Sequence, residues 1–202
     1  MKVSILNVAK KSFIFLIALT IISVSTVASK NISKSLDEGV TYTEADYVLK
    51  ILRENRTGLT LGEEEALAEI IVSESKRKGL EPLFVLALIE TESTFNNWAK
   101  SNKGALGLMQ VRPRTGKYLA GELDIEWNGE RTLYDPYLNV KMGVHYLSLL
   151  IDRFDDDKET ALTAYNVGPT SVSSKIRRGH TLPKRYRTKV LSKYEVLKKG
   201  AE

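Results

Sequence analysis

The chain has no cysteine among its 202 residues, which excludes disulfides, thiolate metal sites and a lipid-modified cysteine. Histidine is almost as scarce. His145 and His180 are the only two, and without cysteine they make no case for a metal site or a nucleophilic triad. No glycine-rich loop has phosphate-cradling spacing. No cofactor and no metal is therefore expected. Strand patterns are missing as well, because no run alternates apolar and polar residues away from helix caps. The fold is expected to be mainly α, with at most a small hairpin. A hydrophobic fraction of 43% and a charged fraction of 27% are those of a folded soluble domain, and a chain of this length supplies one such domain rather than two large ones.

The N-terminus lacks acids. Lys2, Lys10 and Lys11 precede an apolar run over residues 13–22, and small or polar residues follow to Ser29. Residues 1–29 read as a secretory signal peptide. Val27, Ala28 and Ser29 offer small side chains for cleavage; the alternative is an uncleaved anchor, since the apolar stretch reaches Ala28, at the short end of a bilayer-spanning length. Either way the chain is expected to be exported, to the periplasm or cell envelope, which disfavours a nucleic-acid partner. The formal charge of +5 falls to +2 once the three leader lysines are removed, a weak argument for a polyanionic partner. The remaining charge is uneven. From residue 171 onward ten Lys or Arg stand against only Glu195 and Glu202; this basic region is either a contact for an anionic envelope or membrane surface or simply a solvated helix face.

Residues 30–60 read as a linker followed by an accessory helix. Thr43 with Asp46 forms a cap and its reciprocal carboxylate, and Ala45, Val48, Leu49 and Leu52 follow at helical spacing. Thr60 with Glu63 makes a second capping box, opening the main domain over residues 61–202. Its first helix should turn Ala66, Leu67, Ile70 and Ile71 inward and end near Lys78 and Gly79. Glu74 on that helix is followed by Lys76, Arg77 and Lys78 and is read as solvated. Pro82 then suits a first helical position, and residues 83–89 are apolar without a break, so this helix should lie covered on all sides. At its end stand Glu90 and Glu92. Burial there is costly for an ionised carboxylate and raises a Glu pKa from about 4.3 towards the values of about 6 to 7 used by general acids. One of the two is a catalytic candidate.

Later helices are expected from Pro113 to Ala120, then from Asp135 as cap and Pro136 as first residue, then over residues 161–167, and on to about Arg178. Residues 121–132 have no clean period and read as a loop. Pro183 should open the last helix, with Val190, Leu191, Tyr194 and Leu197 on one face. His145 is expected on a helix surface and His180 in a loop.

Glu92-Ser93-x-Phe95-Asn96 followed by Ser101-x-x-Gly104-Ala105-x-Gly107-Leu108-Met109-Gln110-Val111-x-Pro113 resembles the soluble lytic transglycosylase (SLT) domain, the lysozyme-like family 1 module acting on peptidoglycan. Two further stretches resemble it: Leu133 through Gly143 with Tyr146 and Leu147, and Ala161-Leu162-Thr163-Ala164-Tyr165-Asn166-Val167-Gly168-Pro169, with Val167 where Ala is usual. A fourth motif, commonly Glu-Thr-x-x-Tyr-Val, is poorly met around Tyr186, which stands between Lys184-Arg185 and Arg187. The likeness covers roughly residues 61–194. It implies a single lysozyme-like catalytic domain in which Glu92 is the acid. It further implies that Ser93 and Gln110 hydrogen-bond substrate or catalytic groups, that Met109 forms an apolar wall beside the sugar, that Tyr165 and Asn166 line the cleft, and that Tyr186 closes it. Most glycosidases need a second carboxylate, and none stands out here; Asp135 reads as a cap. The family's one-carboxylate reaction fits that inventory. The Glu protonates the bond between N-acetylmuramic acid and N-acetylglucosamine, the muramyl N-acetyl group assists, and the Glu then takes the C6 hydroxyl proton, leaving a 1,6-anhydro end. The alternatives are a hydrolytic lysozyme of the same fold and a glycan-binding or assembly protein without turnover.

Overall fold

The computed structural model describes residues 43–201; the expected signal peptide or anchor over 1–29 and the linker over 30–42 lie outside the described residues. Both capping boxes form. The Thr43 hydroxyl accepts from the Asp46 N–H at 3.1 Å while the Asp46 carboxylate accepts from the Thr43 N–H at 2.8 Å, opening α1 over Glu44–Arg53. Thr60 and Glu63 do the same for α2 over Leu61–Arg77. α1 lies against α2 and brings Val48 and Leu52 into the common core, so the accessory helix is part of the same compact unit as the rest of the described chain. Among the described residues no helix is long and apolar enough to cross a membrane.

The apolar segment forms α3 over Pro82–Ser93, with Pro82 in its first turn. Val85, Leu86, Ala87, Leu88 and Ile89 are all fully buried, because α1, α2 and α9 pack around this helix. α4 spans Pro113–Glu122, α5 Glu130–Tyr134, α6 Pro136–Arg153, α7 Lys158–Val167, α8 Pro169–Arg177 and α9 Arg185–Ala201. The Asp135 carboxylate caps α6 by accepting from the Tyr137 and Leu138 N–H groups at 3.0 and 2.9 Å. It is structural, as read.

Five details differ from the sequence reading. The stretch 121–132 is not all loop: α4 continues to Glu122 and α5 begins at Glu130, where Thr132 and Leu133 are buried and the Thr132 hydroxyl accepts from the Asn128 N–H at 2.8 Å. α2 turns Leu67, Ala68, Ile71 and Val72 inward and leaves Ala66 exposed, because Glu64 also faces in and takes the Thr57 hydroxyl. Glu74 is not solvated; its side chain is only 12% exposed and is paired with Arg77. His145 is only partly exposed. α6 packs against α2, and both ring nitrogens of His145 are buried without a partner; burial lowers its pKa, with Lys78 adding to the effect. Finally, α9 starts at Arg185, two residues past Pro183.

Candidate active site

Glu92 lies in the last turn of α3 because the helix stops abruptly after Ser93. Thr94 and Phe95 take successive left-handed conformations, φ 51° and 64°, which are uncommon for residues with bulky side chains. The Thr94 N–H donates to the Glu90 carbonyl at 3.2 Å and its hydroxyl to the Ser93 carbonyl at 2.6 Å. Phe95 is buried in the core, and this burial offsets the backbone cost. No glycine or proline marks the stop, so the sequence carried no local signal of it.

The following loop is held by one side chain that the sequence reading left as a motif position. Asn139 of α6 is fully buried, donating from Nδ2 to the carbonyls of Leu106 at 3.0 Å and Leu133 at 2.7 Å, and accepting at Oδ1 from the Met109 N–H at 2.8 Å. Gly107, at φ 76°, must be glycine: a Cβ there would lie 2.3 Å from Asn139 Nδ2 and 2.4 Å from the Leu133 carbonyl oxygen. Within this loop Leu106 bridges to both Lys100 and Val111 in antiparallel fashion.

The loop residues expected to meet substrate make contacts within the protein. Met109 is fully buried; Gly143 of α6 leaves room for it, since a Cβ there would lie 2.4 Å from the Met109 sulfur. Its side chain packs on α6, and its carbonyl accepts from the Tyr165 hydroxyl at 2.8 Å. Gln110, at φ 50°, donates from Nε2 to the carbonyls of Ala99 at 3.1 Å and Gly107 at 3.0 Å, bracing the loop. Ser93 is buried and donates to the Ile89 carbonyl at 3.1 Å.

Around Glu92 two of the remaining candidates, Tyr186 and Tyr165, converge. Tyr186 of α9, in the poorly matched fourth motif, donates its hydroxyl directly to Glu92 Oε1. Burial pushes the Glu92 carboxyl up from 4.5 to about 7, against the pull of that hydrogen bond and of the Lys189 charge. Burial likewise raises the phenols of Tyr186 and Tyr165 well above their ordinary value, and the Glu92 charge adds to it in both. Both tyrosines stay neutral donors. Tyr165 rests on the Tyr146 ring with centroids 5.4 Å apart, and Asn166 is exposed on the next position of α7. Glu90, the competing acid, faces another side of α3 and is paired with Lys193 of α9. A carboxyl that titrates near neutrality, with a neutral donor on one oxygen, can give a proton and later take one back.

A helical body built on one buried helix, with a poorly hydrated glutamate at its end, is that of a lysozyme-like domain. The transglycosylase SLT domain family model matches residues 69–187, from α2 to the residue after Tyr186, and the chain belongs to this family. The membrane-bound lytic murein transglycosylase C of Actinobacillus pleuropneumoniae serotype 5b (strain L20) is 36% identical over 107 residues, 48% of this chain and 29% of that protein. Among solved structures, the lytic transglycosylase Slt of Pseudomonas aeruginosa, in an inactive mutant form with glutamate replaced by glutamine, aligns with a TM-score of 0.60 at 27% identity, covering 66% of this chain and 24% of that one. The 70 kDa soluble lytic transglycosylase SLT70 of Escherichia coli aligns with a TM-score of 0.61 at 19% identity, covering 81% of this chain and 31% of that one, a likeness of fold alone. The chain spans less than a third of the length of each of these proteins.

Proposed function

We propose that this chain is an exported peptidoglycan lytic transglycosylase that cleaves the β-1,4 bond between N-acetylmuramic acid and N-acetylglucosamine without adding water. The observation that carries the reading is Glu92, raised to about 7 by its surroundings, with Tyr186 and Lys189 as the opposing influences and no carboxylate among them. Glycosidic cleavage needs a proton on the leaving oxygen, and such a carboxyl still holds one near neutral pH. No second carboxylate stands out in the matched motifs, and in this reading the substrate supplies the other group.

In this reading the Glu92 proton passes to the glycosidic oxygen as the muramyl C1–O bond breaks, and the N-acetyl oxygen bonds to C1. The Glu92 carboxylate then takes the proton of the muramyl C6 hydroxyl, whose oxygen displaces the N-acetyl oxygen at C1. A 1,6-anhydro ring results and Glu92 is protonated again. Tyr186 holds the carboxylate between the two steps, since its hydrogen bond favours the charged form. Tyr165 and Asn166 border the sugar, while Ser93, Met109 and Gln110 act from behind by fixing the helix end and the loop. The substrate class is supported by the relatives named as lytic murein transglycosylases, and the inactive glutamate-to-glutamine form of one structural neighbour is in keeping with a single essential glutamate. The basic last helix supplies a further contact for an anionic envelope surface.

Mass analysis of purified sacculi digested with the wild type and with Glu92→Gln tests the proposal. Anhydro ends from the wild type and none from the variant are expected. Hydrated reducing ends would instead make the protein a lysozyme, and a variant indistinguishable from a wild type that binds without cutting would make it a glycan-binding protein.

A further inference from the structure

α9 packs along α3, and two of its residues reach the carboxylates at the end of that helix: Tyr186 touches Glu92 and Lys193 touches Glu90. Lys189 stands three residues after the first and four before the second. Helical spacing therefore places it on the same face, between the two contacts. It differs from both in being exposed, and its charge acts on the Glu92 carboxyl. Arg185, four residues earlier, is also exposed and continues the row. Two other cations of this helix are committed, Arg187 to Glu159 and Lys193 to Glu90, while Lys198 and Lys199 lie in its last turn, away from this row. Among the described residues neither Lys189 nor Arg185 forms an ion pair. Lys189 and Lys193 also lie beyond the residues that the family model matches.

An open cation beside the acid does not serve the acid's first task, because positive charge favours the ionised carboxylate and works against burial. Its position points outward, to what approaches Glu92. We infer that Lys189, with Arg185 behind it, is the contact for a carboxylate carried by the glycan and so selects the muramyl unit; this rests on the transglycosylase reading. Murein bears its carboxylates on the muramyl side only, as the lactyl acid itself where the peptide is absent or as the acids of the stem peptide where it is present. Both hang from the sugar whose C1 reacts. An uncharged N-acetylglucosamine polymer offers nothing to this cation.

The test compares native sacculi, sacculi whose carboxylates have been converted to methylamides, and strands stripped of peptide by an amidase, each digested at limiting concentration by the wild type, Lys189→Glu and Lys189→Arg. The readout is the ratio of rates on native and amidated material, in which any effect of residue 189 on Glu92 acidity cancels. The wild type should prefer native sacculi by about tenfold, Lys189→Arg should keep that preference, and Lys189→Glu should lose it. Preference retained on stripped strands assigns the contact to the lactyl acid; preference lost there assigns it to the stem peptide. A Lys189→Glu variant with the wild-type ratio, or a wild type without preference, would overturn the inference. If the wild type cuts none of the three, the transglycosylase reading fails instead. Co-sedimentation of Glu92→Gln, with and without Lys189→Glu, on native and amidated sacculi then decides the contact: a preference lost with Lys189 supports it, and equal binding overturns it.

Discussion

Two helices carry the same dipeptide near their C-terminal ends, Glu74-Ser75 on α2 and Glu92-Ser93 on α3. The serines behave alike. Ser75 donates to the Ile71 carbonyl at 2.6 Å and Ser93 to the Ile89 carbonyl at 3.1 Å, each back onto its own helix. The glutamates do not. α2 runs on to Arg77, which neutralises Glu74 from one turn away. α3 stops at Ser93 through two left-handed residues, so no cation of its own helix follows Glu92, and the group that reaches it is a neutral phenol from a helix ninety-four residues later. What a carboxylate can do is set by what the chain brings to it next.

The largest expected effect separates the two glutamates directly. Glu92→Gln should lower turnover of sacculi by about a thousandfold or more, while Glu74→Gln should stay within about twofold; equal losses would break the comparison. The loop after α3, which has no counterpart after α2, comes second. Asn139→Ala removes three buried hydrogen bonds and should cost about 3 kcal/mol of stability, read as a lowered urea midpoint, with turnover falling in the remaining folded protein. Third is the pH dependence of stability. Since burial raises the Glu92 carboxyl from 4.5 to about 7, the folded protein retains a proton over that interval which the unfolded chain has released, so stability declines as pH rises through it and the loss is complete above about 7. Glu92→Gln abolishes that loss. Its stability relative to wild type should therefore increase from pH 4.5 to 7 by on the order of 2 kcal/mol, and a difference independent of pH would refute the desolvation argument.

Tyr186→Phe should reduce kcat by about tenfold. Because the lost hydrogen bond had lowered the Glu92 pKa, the alkaline limb of the kcat profile should move to higher pH, and an unmoved limb would show that the phenol does not act on the acid. The smallest effect on turnover belongs to the other dipeptide: Arg77→Ala breaks an ion pair whose arginine is about half exposed and whose glutamate is mostly buried, and should cost about 1 kcal/mol of stability, with no change in the pH profile of turnover.

Much of this was legible before any coordinates. The capping boxes at Thr43 and Thr60, Pro82 at the start of α3 and Asp135 before Pro136 are satisfied by partners within four residues, and these elements form where expected. The uninterrupted apolar run announced a covered helix with an acid at its end, and the linked motifs selected Glu92 over Glu90. Direction was harder to read. For Met109 and Gln110 no sequence pattern showed the contacts within the fold: a glycine on α6 leaves room for the methionine and two loop carbonyls take the glutamine. Glu74 looked exposed because the residues after it are charged, and His145 because it is a polar residue on a helix, but α2 and α6 pack together there. Tyr186 carried the weakest sequence signal of the site, yet its hydroxyl donates directly to Glu92.

The sequence alone determined the helices, their caps and the residue able to hold a labile proton, because those properties are settled by side-chain period and by bonds spanning a single turn. Tertiary packing decided how acidic that residue is and what stands beside it. Desolvation and the approach of α9 depend on chain segments about a hundred residues apart, and their meeting is a property of the assembled core rather than of any local pattern.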